Sequence, residues 1–327
     1  MTSAVAVLPG ARGPLSEAVI ESLRRDERGD FPELRAVADA DPFGEDVQLA
    51  LYLCYELHYQ GFPGVDPDWE WDPELLRLRA SMERVFLAGL RAATAGGDDV
   101  QGELDELLVE PIDGTGISHY LADTGEWWQM CEYLTHRSIY HLKEADPHAW
   151  VIPRLRGRAK AALVAVEFDE FGGGRADRVH AKLYADLMDA AGLDPGYLHY
   201  LDDVPGCMLA VVNLMSLFGL HRRLRGALVG HFAAAEITTA PSAMRMERAL
   251  NRLDAPDACK VFFTEHIEAD AVHEQVMRHE VIGGLLADEP ELAADVVFGI
   301  QATNLLEARF ATHVLSAWHS GRSSLRA

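Results

Sequence analysis

The stretch TEHIEADAVHEQ, residues 264–275, spaces two histidines and an aspartate at helical intervals. His266, Asp270 and His273 stand at positions i, i+4 and i+7. At about 100° per residue, these offsets return to within about 40° of the first residue's direction on an α-helix. The spacing therefore predicts a helix with three side chains on one face. Either that face lies in water and the pattern is accidental, or it meets a partner that needs nitrogen and oxygen ligands together.

Helical periodicity extends outward from this stretch along nearly the whole chain, and sustained strand-like alternation does not interrupt it. Helices are predicted for residues 46–60, 72–93, 124–144, 153–170, 176–191, 205–219, 222–239, 258–285 and 291–319. FGGG (171–174) and TTAPSAMR (238–245) are two of the predicted breaks. The sequence thus predicts an all-α fold that forms one structural unit, with residues 1–100 as an N-terminal helical segment packed on a core of residues 101–327.

Composition and charge limit which kinds of protein and which binding partners fit this sequence. The chain has 327 residues and a formal net charge of −23, which argues against nucleic acid, whose phosphates need a basic surface. Its four cysteines form no CxxC pair, as expected for a reducing, cytoplasmic location. The opening MTSAVAVLPGARG lacks a basic segment, so we expect no signal peptide. The apolar run GCMLAVVNLMSLFGL (206–220) is too short to cross a bilayer and predicts a buried helix.

Other polar residues occur where helices are otherwise apolar. They are Glu144, Glu170, His180 and Glu236. If these and the first three all face inward, four buried carboxylates carry a charge of about −4, which two divalent cations would cancel. Imidazole and carboxylate ligands without a thiolate suit iron or manganese rather than structural zinc. Carboxylates on facing helices can bridge two ions, so the charge balance favours a two-metal site.

Each residue alone has a simpler interpretation. A chain with 14 histidines and 52 acidic residues produces such spacings by chance, and Glu170 and Glu144 stand at helix ends, where solvated carboxylates are common. Glu236 is equally compatible with an ion pair to one of the arginines in HRRLRG, residues 221–226. Glu132 and His136 form a second i, i+4 pair and are alternative ligands, ranked below Glu144 as surface residues or residues behind the ligands. The metal hypothesis rests on the combination.

Four runs, HLKEADPHAW, DEFGGGRADRVH, LHRRLRGALVGH and EHIEADAVHE, resemble the iron-containing redox enzyme family, the haem-oxygenase-like diiron oxidases and oxygenases. The resemblance extends from about Gly102 to the C-terminus, and LYLCYELHYQGF is similar to the family's N-terminal portion. By position, the family's ligands fall on the same seven residues, namely Glu144, Glu170, His180, Glu236, His266, Asp270 and His273. Phe171 stands where the family usually has a tyrosine, a departure that touches no ligand.

The resemblance implies a haem-oxygenase-like seven-helix bundle with additional N-terminal helices. It also implies two Fe ions cycling between Fe2+ and Fe3+, with O2 as co-substrate for oxidation of an amine, a C–H bond or a carboxylic acid. In this scheme the three histidines are terminal ligands and Glu170 is the bridge. The remaining carboxylates, Glu144, Glu236 and Asp270, complete the shell.

Function and substrate stay open at this point. Alternatives are a haem-binding or cofactorless oxidase on the same fold, and an iron-binding, ferroxidase-like protein. A small-molecule substrate is expected, either an amino acid, a fatty acid or a natural-product intermediate, without a nucleic acid or membrane partner. HRRLRG either receives a substrate carboxylate or balances nearby acids, and Trp127, Trp128 and Tyr120 either line a pocket or pack in the core. An external electron donor and a homodimer are further expectations.

Overall fold

The computed structural model describes residues 8–25, 31, 35–109 and 114–326, and within these ranges it contains helices and no strand. The described α-helices, numbered in chain order, are α1 (Pro14–Leu23), α2 (Arg35–Ala38), α3 (Glu45–Glu56), α4 (Pro73–Ala93), α5 (Val100–Leu107), α6 (Ile117–Asp123), α7 (Trp127–His141), α8 (Asp146–Ala149), α9 (Gly157–Glu170), α10 (His180–Ala190), α11 (Gly206–Leu220), α12 (Arg225–Arg252), α13 (Val261–Gln275), α14 (Gly283–Asp288) and α15 (Ala293–His319). A π-helical stretch, Val276–Ile282, joins α13 to α14. The predicted all-α class is confirmed. None of the described helices combines the length and apolar character needed to cross a bilayer.

The apolar run at residues 206–220 forms α11, which is buried along nearly its whole length as predicted. Its interior amide is anchored through its NH2 group, because Asn213 Nδ2 donates to the carbonyl oxygen and to Oε1 of Gln48, both at 2.8 Å, while Asn213 Oδ1 has no hydrogen-bond partner among the described residues. Gln48 lies on α3, so this N-terminal helix packs against α11 within the same hydrophobic core. The division of the chain at residue 100 stays a prediction.

Helix α12 corrects one predicted boundary. The expected break at 238–245 is wrong, since α12 continues through Pro241 to Arg252. Proline removes one backbone donor and clashes with the preceding turn. Here α12 is buried on both sides of that position, at Ile237, Ala243 and Met246, and this packing holds the helix together. The long helix thereby carries Glu236 and the residues beyond Pro241 on one continuous rod.

Glycines bring α12 and α15 into close contact. A Cβ atom on Gly230 would lie 2.1 Å from the Val296 carbonyl oxygen, and one on Gly299 would lie 2.0 Å from the Ala227 carbonyl oxygen. No real side chain tolerates such distances, so the two backbones approach as closely as they do only because these positions lack side chains. This contact fixes α12 against the core.

The predicted break at FGGG is confirmed. Gly172, Gly173 and Gly174 have φ angles of 73°, 61° and 80°, in the left-handed region that glycine adopts without strain. The chain reverses here, between Glu170 at the end of α9 and His180 at the start of α10. Two predicted ligands therefore stand at facing helix ends.

Candidate metal centre

Six of the seven predicted ligands lie close together and are buried. They are Glu144 in the turn after α7, Glu170 ending α9, His180 opening α10, Glu236 in α12, and His266 and His273 on α13. Asp270 also belongs to α13, but its side chain lies outside the described residues, so its role stays a prediction. The structure thus brings together residues that the chain separates by up to 129 positions (273 − 144).

A first group joins Glu144, Glu170, His180 and His266, each offering one ligand atom within 4.8 Å of the others. His180 Nδ1 lies 2.8 Å from Glu170 Oε2, and His266 Nε2 lies 3.7 Å from Glu144 Oε1. His266 Nδ1 donates to the Phe262 carbonyl oxygen at 2.7 Å. This bond assigns the proton to Nδ1, so Nε2 carries the lone pair that faces the group.

A second group joins Glu170, Glu236 and His273 under the same distance limit. His273 Nδ1 lies 3.1 Å from Glu236 Oε2 and 3.8 Å from Glu170 Oε1. Its Nε2 lies 3.2 Å from Asp169 Oδ2 and donates to it, which turns Nδ1 toward the carboxylates. Glu170 belongs to both groups, with Oε2 toward His180 and Oε1 toward His273.

Two buried polar atoms of this cluster have no hydrogen-bond partner among the described residues. His180 Nδ1 approaches Glu170 Oε2 to 2.8 Å, yet it makes no hydrogen bond to any described residue. Glu144 Oε2 is also buried without a hydrogen-bond partner among the described residues. Buried polar atoms in this condition are costly, and a divalent cation satisfies several of them at once. Carboxylate oxygens and imidazole nitrogens without thiolates fit iron.

The turn that carries Glu144 is held rigidly. His141 Nδ1 lies 2.8 Å from Glu144 Oε1. Burial opposes ionisation of Glu144, but His141 and His266 outweigh it and hold its pKa well below the usual range. The next residue, Ala145, is buried with a left-handed φ of 73°, a conformation that costs a residue with a side chain about 1–2 kcal/mol.

The residue before Glu144 is also fixed. Lys143 Nζ donates to Glu56 Oε2 on α3 at 2.6 Å, and both side chains are buried. Tyr197 Oη donates to the other oxygen of Glu56 at 2.6 Å. An N-terminal helix therefore supports the ligand turn through a buried ion pair.

Glu167 is a functional candidate that sequence reasoning missed. It precedes Glu170 by one turn of α9, is only 2% exposed, and neither oxygen has a hydrogen-bond partner among the described residues. Burial, followed by the nearby charges of Glu170 and Glu236, raises its pKa to about 9. Its apolar setting in LVAVEF was the available signal, similar to the setting of Glu236.

A cavity of about 470 Å3 adjoins the cluster and suits a small molecule. Glu144, Glu170, Glu236 and His266 line it. Helix α12 runs along it from His231 to Arg245, about 21 Å at 1.5 Å per residue. His231 is buried, whereas Thr238 is exposed and Arg245 is partly exposed, so along α12 the cavity wall runs from a buried end to a more exposed one.

Several other candidates lie away from the cavity. Glu132 and His136 are buried rather than on the surface, and Glu132 Oε2 accepts hydrogen bonds from Trp318 and Ser324 near the C-terminus. The arginines of HRRLRG do not line the cavity, and Arg225 pairs with Glu289. The aromatic residues proposed as pocket residues are also absent from the cavity wall. These are Tyr120, Trp127 and Trp128.

Comparison with known proteins extends this description. Residues 131–308, more than half of the chain, match the family described as iron-containing redox enzyme, whose fold is helical and haem-oxygenase-like. The chain is also 25% identical over 166 residues to the nitrosourea synthase of Streptomyces achromogenes subsp. streptozoticus. That alignment covers 50% of this chain but only 35% of the relative, so this chain spans about a third of the relative it matches.

Proposed function

The chain belongs to the iron-containing redox enzyme family, and from this premise we propose that it is a non-haem diiron oxidase or oxygenase. It would activate O2 and oxidise a small organic substrate. The observation that carries the proposal is the pair of buried ligand groups that share Glu170. One group supports one metal ion, and a shared carboxylate with one oxygen toward each group supports two.

The chain's own residues have distinct tasks in this proposal. Glu170 bridges, the three histidines bind as neutral terminal ligands, and Glu144, Glu236 and Asp270 complete the shell. Two bound Fe ions, passing between Fe2+ and Fe3+, would supply electrons to O2. Burial of the ligands keeps bulk water away.

The substrate reaction is N-oxygenation, C–H oxidation or oxidative fragmentation of an amino acid or carboxylic acid. The relative is a nitrosourea synthase, and a nitrosourea contains oxidised nitrogen, which favours N-oxygenation among the three. An external electron donor would reduce the irons between turnovers, and a homodimer stays a prediction. We propose no nucleic acid or membrane partner.

Anaerobic titration with Fe2+ followed by addition of O2 tests the proposal. The wild-type protein should bind two Fe ions per chain and consume O2. His266→Ala and Glu236→Ala each remove a ligand from one group, so each should lose roughly half of the iron and all O2-consuming turnover. His279→Ala is a matched control, because His279 is exposed on the same helical run and its loss should change neither quantity.

Full iron loading with wild-type oxidation in both ligand variants would contradict the proposal. The same titration separates the alternatives. With an external electron donor and candidate amino acids added, a ferroxidase-like protein would still oxidise only Fe2+ and would give no oxidised organic product. A haem-binding or cofactorless oxidase would turn over without non-haem iron.

A further inference from the structure

Two buried histidines and a threonine form a hydrogen-bonded series at the His231 end of the cavity, and all three line it. His148 Nε2 lies 3.1 Å from His231 Nε2, and His231 Nδ1 lies 2.8 Å from Thr303 Oγ1. Thr303 Oγ1 donates in turn to the Gly299 carbonyl oxygen at 2.7 Å. None of these side chains contributes to the two ligand groups.

The direction of the hydrogen bonds among these three side chains determines the tautomers of the two histidines. Because Thr303 uses its proton on Gly299, it accepts from His231, and the His231 proton is on Nδ1. His231 Nε2 then carries a lone pair and must accept from His148 Nε2–H. His148 Nδ1 is left as an acceptor, and it is buried without a hydrogen-bond partner among the described residues. The reverse order loses the bond to Gly299 and leaves a buried N–H unpaired, so it is less favourable.

Both imidazoles are neutral at physiological pH. Burial, reinforced by His231, places the pKa of His148 well below its ordinary value, and burial lowers the pKa of His231 to about 4. The His148 ring stacks on Phe232, with centroids 4.2 Å apart and planes 17° apart. His148 therefore presents a fixed lone pair rather than a positive charge.

The position along α12 relates this lone pair to the metal centre. Phe232 precedes Glu236 by four residues and Arg245 follows it by nine, about 6 Å and 14 Å along the helix axis. A molecule that enters from the more exposed Arg245 end passes the ligand groups before it reaches His148. The part of the substrate beyond the reacting atom is the part that meets this histidine.

We propose that His148 Nδ1 accepts a hydrogen bond from an N–H or O–H group at the leading end of the substrate. This inference rests on the proposed function. A hydrocarbon end packed against His148 would leave the buried lone pair unpaired, whereas a donor of the same size satisfies it. His148 thus selects substrates whose leading end is a hydrogen-bond donor over those that end in an alkyl group.

Nuclear magnetic resonance of the full chain with isotope-labelled histidine, without added metal, tests the first step. We expect His148 protonated on Nε2 and bare on Nδ1. The probe 6-hydroxynorleucine should shift its Nδ1 resonance, whereas norleucine, which ends in a methyl group, should not. His136 is the internal control, because its Nδ1 is also buried and unpartnered among the described residues but lies outside the cavity wall. A protonated His148 Nδ1, no response to the hydroxyl probe, or equal responses to both probes would overturn the inference.

Two near-isosteric variants of the iron-loaded protein, measured anaerobically, test the second step. Wild type should bind 6-hydroxynorleucine about tenfold more tightly than norleucine. His148→Asn should retain this preference, because its Oδ1 takes the place of Nδ1. His148→Gln should lose it, because its amide replaces Nε2 only. Retained preference in the Gln variant would refute the inference, and matched thermal unfolding of both variants controls for folding.

The iron content of the wild-type protein separates the two proposals. Two irons without a probe preference would refute only the role of His148, and absence of iron would refute the proposed function.

Discussion

Two buried clusters in this molecule contain the same residue types but differ in what surrounds them. The C-terminal cluster consists of Glu132, His136, Trp318 and Ser324. In it, Glu132 Oε2 accepts from Trp318 Nε1 at 2.8 Å, from Ser324 N at 2.9 Å and from Ser324 Oγ at 2.7 Å, and His136 Nε2 donates to Ser324 Oγ at 2.9 Å. In the metal centre, carboxylates and imidazoles face one another instead, and two of their buried atoms have no hydrogen-bond partner among the described residues.

The difference shows what separates a structural carboxylate from a candidate ligand. Burial does not distinguish them, since Glu132 and Glu170 are 8% and 4% exposed. The distinguishing feature is the supply of neutral donors. Where protein N–H and O–H groups surround a carboxylate, the chain satisfies it alone. Where only other carboxylates and imidazoles surround it, its charge must be offset by a cation or by added protons.

The largest effect is expected from replacing Glu170, the residue that both ligand groups share. Glu170→Ala removes a ligand from both groups, so it should abolish nearly all iron binding, whereas a variant of a single group loses about half. It should also abolish stabilisation by iron, about 4 kcal/mol when free Fe2+ exceeds its dissociation constant a thousandfold. Urea unfolding with and without Fe2+ under anaerobic conditions measures this. A variant that iron stabilises as strongly as wild type would show that Glu170 is not shared.

The second test breaks the C-terminal cluster. Glu132→Ala leaves three buried donors without their acceptor and should lower the free energy of unfolding by about 3 kcal/mol. Iron content per folded chain should stay at the wild-type value, because Glu132 belongs to neither ligand group. Urea unfolding and metal analysis on the same preparation provide both numbers. A variant of normal stability that has lost iron would instead make Glu132 a ligand.

The third and smallest expected effect is on the pH dependence of stability, through His136 in the C-terminal cluster. Burial, together with His313 and Arg137, lowers the pKa of His136 to about 3 in the folded protein. Below pH 6.5 the unfolded chain binds a proton there that the folded chain rejects. Stability is therefore present above pH 6.5 and is lost as the pH falls toward 3, by up to about 1.4 kcal/mol per unit.

His136→Gln removes this titration while retaining a donor for Ser324. We expect a shallower loss of unfolding free energy in the variant between pH 6.5 and 5, measured with chelator present so that metal binding does not contribute. Parallel slopes for variant and wild type would mean that His136 does not drive the pH dependence.

Local spacing accounts for the parts of the site that one helix contains. The interval between His266 and His273 predicted one helix face, and both side chains are buried at the cluster. Spacing did not separate Glu132 from Glu144, because the donors that satisfy Glu132 come from Ser324, 192 residues away. Likewise Pro241 predicted a break on local grounds, while burial on both sides of it depends on distant helices. Both outcomes depend on tertiary contacts, which helical periodicity in the sequence does not encode.

The buried pair of Lys143 and Glu56 has a consequence for the modularity of the chain. Lys143 is the covalent neighbour of Glu144, and its counter-charge comes from α3. A fragment beginning at residue 101 would discard Glu56 together with Tyr52 and Tyr59, whose rings lie 4.6 and 4.5 Å from Lys143 Nζ. The residue next to the candidate ligand Glu144 therefore depends on the preceding helices for its counter-charge and for its burial.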